Sequence, residues 1–145
     1  MQFQRSFRFD APRERVWELL LDPEQVRQCI GGAAAMTTVG GDVYEAEIPV
    51  SVGPFRMSLR ASVTLQDQTP PDAYTLLLTA SGAGSSVTGR AGVALAEEGD
   101  HTLVRVQGEA EMSGLIGQIG DAAAVSAAES RMAEFFECMQ ARAGA

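Results

Sequence analysis

The stretch Phe55-Arg56-Met57-Ser58-Leu59-Arg60-Ala61-Ser62-Val63-Thr64-Leu65-Gln66 decides the fold. Every other residue is apolar, and its neighbours are Arg, Ser, Thr or Gln. Side chains of a strand point to opposite faces in turn, so this spacing predicts a long strand with one dry and one wet face. That is the pattern of an antiparallel sheet covered on one side only. The same alternation continues outward. Towards the C-terminus, Pro70-Pro71-Asp72 marks a turn, and Tyr74, Leu76, Leu78 and Ala80 share a face of the next strand. A strand over residues 87–95 is thinned by Gly89 and Gly92. After a turn at Glu98-Gly99-Asp100, Thr102, Val104, Val106, Gly108, Ala110 and Met112 alternate with polar residues and Leu103. Towards the N-terminus, residues 33–39 and 42–50 flank Gly40-Gly41 as a hairpin.

The two ends of the chain read differently. Phe3, Arg5, Phe7 and Phe9 share one face of a first strand. Asp10-Ala11-Pro12 predicts a helix start with an acidic cap, followed by Val16, Trp17, Leu20 and Leu21 at helical spacing. Asp22-Pro23-Glu24 predicts a second short helix carrying Val26, Cys29 and Ile30, ended by Gly31-Gly32. The last segment is one long helix. Its stripe opens at Leu115, Ile116, Ile119 and Ala123, with Gly117 and Gly120 loosening the first turns. It closes at Met132, Phe135, Phe136 and Met139. The expected fold is α+β, with no linker or repeat: one domain over residues 1–145. A curved antiparallel sheet of about seven strands wraps a long C-terminal helix, with two short helices after strand 1. Residues 122–130 are nearly all small, so a cavity is expected where they face the sheet. The same inward side chains could instead close into a filled core.

Composition excludes several kinds of chemistry. A 145-residue chain, 46% apolar and 21% charged, is long enough to bury a core unaided. Net charge is −8, which argues against a nucleic-acid partner. All 11 bases are arginine, so no lysine nucleophile exists. The sole histidine, His101, falls in a turn with no orienting partner in view. The acid pairs Glu45/Glu47 and Glu109/Glu111 sit on wet strand faces, and Glu97/Glu98 also reads as surface. Cys29 and Cys138 stand far apart in the chain and read as separate thiols. With no secretory signal, they suggest a reducing, cytoplasmic compartment. No apolar run reaches the roughly 18 residues of a spanning helix. Arg5, among phenylalanines, either snorkels to water or enters the interior to meet an acid. The inward set, which includes Tyr44, Ile48, Met57, Leu59, Leu76, Leu78, Val104 and Met112, carries no Asp, Glu, His or Cys. A pocket so lined suits an apolar ligand rather than acid–base catalysis.

Several motifs together resemble the CoxG family, named for a carbon monoxide dehydrogenase subunit, of the START-like, SRPBCC superfamily. They are Phe9-Asp10-Ala11-Pro12 with Val16-Trp17 and Asp22-Pro23, and Cys29-Ile30-Gly31-Gly32 where the family has Cys-Ile-Pro-Gly. Val52-Gly53-Pro54, Gly82-Ala83-Gly84 with Gly89, Ser113-Gly114-Leu115-Ile116 and Phe135-Phe136 complete the set. The resemblance implies a helix-grip fold and a non-catalytic protein without a cofactor. Such a protein would bind a lipid or quinone between sheet and helix. It further implies a link to a molybdenum hydroxylase of the carbon monoxide dehydrogenase type. Longer members carry an extension associated with membrane attachment, so no stable membrane anchor is expected here. Trp17, Cys29, Ile30, Tyr44, Met57, Leu76, Met132 and Phe136 are the expected cavity wall, with Ala123 and Ala127 opposite. Two other roles fit the same fold: an assembly or recruitment factor with a filled core, and a small cyclase or hydrolase.

Overall fold

The computed structural model describes residues 2–30, 36–40, 42–52, 54–82, 84–114, 118 and 121–144. The elements run β1 (Gln2–Phe9), α1 (Arg13–Leu21), α2 (Pro23–Cys29), β2 (Met36–Gly40), β3 (Val43–Val52), β4 (Phe55–Thr69), β5 (Ala73–Gly82), β6 (Ser85–Glu98), β7 (His101–Gly114) and α3 (Asp121–Ala143). The strands form one antiparallel sheet in the order β1-β7-β6-β5-β4-β3-β2. It is a meander from β2 to β7, closed at the far side by β1. The alternation in β4 breaks after Gln66, where the register with β5 shifts and Asp67 takes a φ of 51°. That bulge lets β4 reach the Pro70-Pro71 turn, whose peptide bond is cis.

The core sits between the sheet and the helices at one end of the molecule. Phe7, Phe9, Val16, Leu20, Leu95, Val104 and Met139 are buried together there. Phe136 of α3 stacks on Phe7 with ring centroids 4.2 Å apart and meets Phe9 edge-on at 6.2 Å. Thr102, fully buried, donates its hydroxyl to the Ala11 carbonyl at 2.8 Å, which satisfies a polar group that burial would otherwise penalise.

Two local expectations change. Pro12, not Asp10, occupies the N-cap of α1: its carbonyl accepts from Arg15 and Val16, both at 3.1 Å, and no side chain caps the helix. Proline at the cap position is extended, which leaves Asp10 too early in the chain to cap. Its carboxylate instead lies 2.8 Å from His101 Nδ1. His101 therefore has a partner, and it opens β7 rather than sitting in the turn. β7 continues to Gly114, and α3 is described over Asp121–Ala143. Leu115, Ile116, Ile119, Gly117 and Gly120 lie outside the described residues, as do the early part of the 33–39 strand and Gly41. By contrast α2 starts as its sequence demands: Asp22 Oδ1 accepts from the Glu24 amide at 3.0 Å, with Pro23 in the first turn.

Candidate functional site

Away from the packed end, the dry face of the sheet carries small residues. Gly89 pairs with Ala110, and Ala91 with Gly108, so a block of four small residues forms the inner floor of β6 and β7. A Cβ at Gly108 would lie 2.4 Å from the Arg90 carbonyl, so the close approach of these strands keeps that position empty. Met57, Leu78, Val87 and Met112 are half-buried against a second cluster of Leu59, Ala61 and Ala80, and Leu76 is half-buried against the main core. On the helix, Val125, Ala128 and Met132 are half-buried along the face that continues into Phe136 and Met139.

Two polar straps hold α3 across the sheet. On one side Arg5 reaches Glu129 at 3.4 Å, with its guanidinium 5.9 Å from the Phe7 ring centroid. Arg5 therefore follows each of its two readings in part: it meets an acid, but near the surface rather than inside, since the two side chains stay 41% and 37% exposed. On the other side Arg131 donates to the Pro49 carbonyl. Sequence reasoning missed Glu129 and Arg131. The available signal was Arg5 itself, since Glu129 is the acid in the otherwise small-residue run that it faces.

Of the eight residues expected in the wall, Trp17, Cys29, Tyr44 and Phe136 lie in the main core cluster with Leu76 and Met132 packed against it. Trp17, Tyr44 and Phe136 are buried in the packed end, and Trp17 meets Tyr74 edge-on at 5.6 Å. Leu76 and Met132 are half-buried at the border of that core, and Met57 belongs to the second cluster around Leu59, Ala61 and Ala80. Ile30 caps α2 and is half-buried. Ala123 is half-buried on α3; the Ala127 side chain lies outside the described residues. Burial raises the pKa of Tyr44, reinforced by Asp42 and Asp22, and burial together with Tyr44 raises that of Tyr74. Both phenols therefore stay protonated and can donate a hydrogen bond.

Cys29 and Cys138 are not separate thiols. They form a disulfide between α2 and α3, with Cα atoms 5.5 Å apart across 109 residues of sequence. Tertiary folding brings together what the chain separates. This corrects the expectation of independent cysteines, and it removes the cysteine argument for a reducing compartment. Two grooves also lie on the wet face of the sheet. The larger, about 790 Å³, runs past Gln4, Thr75, Arg90, Gly92, Arg105 and Gln107, and the smaller, about 360 Å³, past Arg60, Thr79 and Ser86. Short side chains such as Gly92 and Ser86 leave these gaps. No helix among the described residues is long and apolar enough to cross a membrane.

A curved antiparallel sheet gripping one long C-terminal helix defines a START-type protein. The chain belongs to the CoxG family, named for a subunit of carbon monoxide dehydrogenase, whose sequence model matches residues 6–144. Among solved structures it is similar to a conserved protein from Geobacillus kaustophilus, with TM-score 0.94 and 23% identity over 99% of this chain and 95% of that one. It is also similar to a START superfamily protein from Mycobacterium smegmatis, with TM-score 0.75 and 9% identity over 99% and 97%. A third is the di-domain aromatase/cyclase BexL of the BE-7585A biosynthetic pathway, with TM-score 0.68 and 13% identity over 100% of this chain and 50% of that one. Identities this low show the shared fold alone. No curated protein matches the sequence.

Proposed function

We propose that this protein binds a hydrophobic small molecule, a quinone or a lipid, between its sheet and α3, and is not itself a catalyst. The observation that carries the reading is the run of small residues, Gly89, Ala91, Gly108 and Ala110 on the inner face of the sheet and Ala123 and Ala128 on α3; the ligand would occupy a hollow between them. The half-buried rim of Met57, Leu76, Leu78, Val87 and Met112 adds to it. An apolar surface of this shape gains by covering itself with an apolar ligand. Protonated Tyr44, at the edge of the packed end, supplies a donor for a carbonyl or headgroup oxygen. Membership of the CoxG family supports an oxidoreductase of the carbon monoxide dehydrogenase type as the protein that the ligand serves.

Native mass spectrometry followed by organic extraction tests this. A stoichiometric quinone or lipid is expected, and Ala128→Phe, which fills the hollow from the helix side, should lower its occupancy at least about tenfold. A ligand-free protein that takes up no added quinone, fatty acid or sterol overturns the reading. The alternative is an accessory factor that docks on its enzyme. The grooves on the wet sheet face favour it, and a pull-down that survives Ala128→Phe would then identify the partner.

A further inference from the structure

The two ends of the sheet are built differently. At one end β2 is described over five residues, and its pairing with β3 is irregular between Thr38 and Gly40. At the other end β1 runs for eight residues and pairs with β7 without a break, from Gln2↔Glu109 to Phe9↔Thr102. No strand lies on its far side. Edge strands are kept from pairing with other chains by proline, bulges, charged side chains or a cover. β1 has no proline and no bulge, and the exposed side chains of its first six residues, Gln2, Gln4 and Ser6, are uncharged.

Two observations fix which backbone groups of β1 face outward. The Arg8 carbonyl accepts from Gln140 of α3 at 2.8 Å, on the side away from β7. The β6–β7 turn gives the same phase. Glu98 and His101 close a two-residue loop, Gly99-Asp100, and so bond to each other, which leaves Thr102 to bond Phe9 of β1. Residues that bond one neighbouring strand alternate with residues that face the other side. The N–H and C=O groups of Gln2, Gln4 and Ser6 therefore point outward, as those of Arg8 do. Among the described residues, α3 takes the edge at Arg8, and nothing bonds the outward groups of Gln4 and Ser6.

We propose that this edge pairs with β1 of a second copy of the chain, antiparallel about a two-fold axis at Gln4, and joins the two sheets into one. In that register Gln4 faces Gln4 of the second copy and Gln2 faces Ser6, so each outward N–H meets an outward C=O. Arg8, whose carbonyl is already taken, stays outside the pairing. On the inner face, Phe3 of one copy stands opposite Arg5 of the other. A guanidinium there meets an aromatic ring rather than a second guanidinium, as Arg5 already does with Phe7 at 5.9 Å within the chain. Phe3 is half-buried and Arg5 is 41% exposed, so both have surface left to cover. The net charge of −8 on each copy opposes the contact, and salt screens that repulsion.

Analytical ultracentrifugation of the full chain from about 1 to about 200 μM tests this, since a contact this small is expected to be weak. A reversible dimer should form, and it should be tighter at about 0.5 M salt than at about 0.05 M. Hydrogen exchange read by NMR locates the contact. The Gln4 and Ser6 amides should exchange at least about tenfold more slowly in concentrated than in dilute protein. Gln4→Pro removes an N–H that the second copy needs and β7 does not use. Gln4→Lys sets two like charges face to face across the axis. Each should weaken dimerisation at least about tenfold, with folding checked by circular dichroism. Should Gln4→Pro fail to fold, Gln4→Lys decides. A monomer at every concentration and salt overturns the proposal. A dimer that the variants leave intact also overturns it, because the contact then lies elsewhere. So does protection of both amides in the dilute monomer, because the chain itself then covers the edge.

Discussion

Phe136 and Leu78 both face the interior, but they do different work. Phe136 is 6% exposed and stacked on Phe7, whereas Leu78 is half-buried against the cluster of Leu59, Ala61 and Ala80. Phe136→Ala should cost about 3–5 kcal/mol in chemical denaturation, as expected for a buried aromatic. Leu78→Ala should cost less than about 1.5 kcal/mol and weaken ligand binding instead, because part of its surface is already open. The tyrosines offer a second prediction at this scale. The chain has two, and both have raised pKa values. A group whose folded pKa exceeds its unfolded value holds its proton more tightly when folded. Stability is therefore level below about pH 10, the ordinary tyrosine value, and falls as pH rises above it. Tyrosinate absorbance should show less than half of the phenols ionised at about pH 10 until the protein unfolds.

Among the elements, helix starts show how far local reading reaches. Asp22-Pro23-Glu24 is a complete signal, since cap, proline and first-turn acid follow one another. Asp22→Ala should lower stability by about 1 kcal/mol through the lost bond to the Glu24 amide. Asp10 looked equivalent but is placed one residue too far from Pro12 to cap. Asp10→Ala should move the melting temperature by no more than about 2 °C, because its contact to His101 is exposed. The start of α3 was legible only from its far end. Its stripe in sequence opens at Leu115 and Ile116, which lie outside the described residues, while β7 pairs with β6 from Glu98↔His101 to Ser85↔Gly114.

For the whole molecule, the two ends of the interior divide the labour. One end is close-packed by Phe7, Phe9, Trp17, Phe136 and Met139 and secures the fold. The other places glycine and alanine on the inner face of β6 and β7 and packs Met57, Leu78, Val87 and Met112 around Leu59, Ala61 and Ala80. The C-terminal half of α3 is tied by the disulfide, by Gln140 to the Arg8 carbonyl at 2.8 Å, and by the aromatic stack. Its N-terminal half is held by Glu129 and Arg131 at its two sides. Such exposed straps contribute at most about 1 kcal/mol each, which keeps that half of the helix the easier one to displace.

The sequence by itself determined the strand count, the one dry face of the sheet, both short helices and the helix that the sheet grips. These are properties of period and of local chemistry: alternation at two, stripes at three to four, and cap residues in order. Only the tertiary structure decided which inward residues are fully buried and which stay half-buried, because that depends on the partner across the interior. Trp17 and Phe136 are buried against aromatic neighbours; Met57 and Leu76 are half-buried at the margins of the two clusters. Only the tertiary structure joined Cys29 to Cys138 and Arg5 to Glu129. Contacts between residues more than a hundred positions apart leave no local period to read.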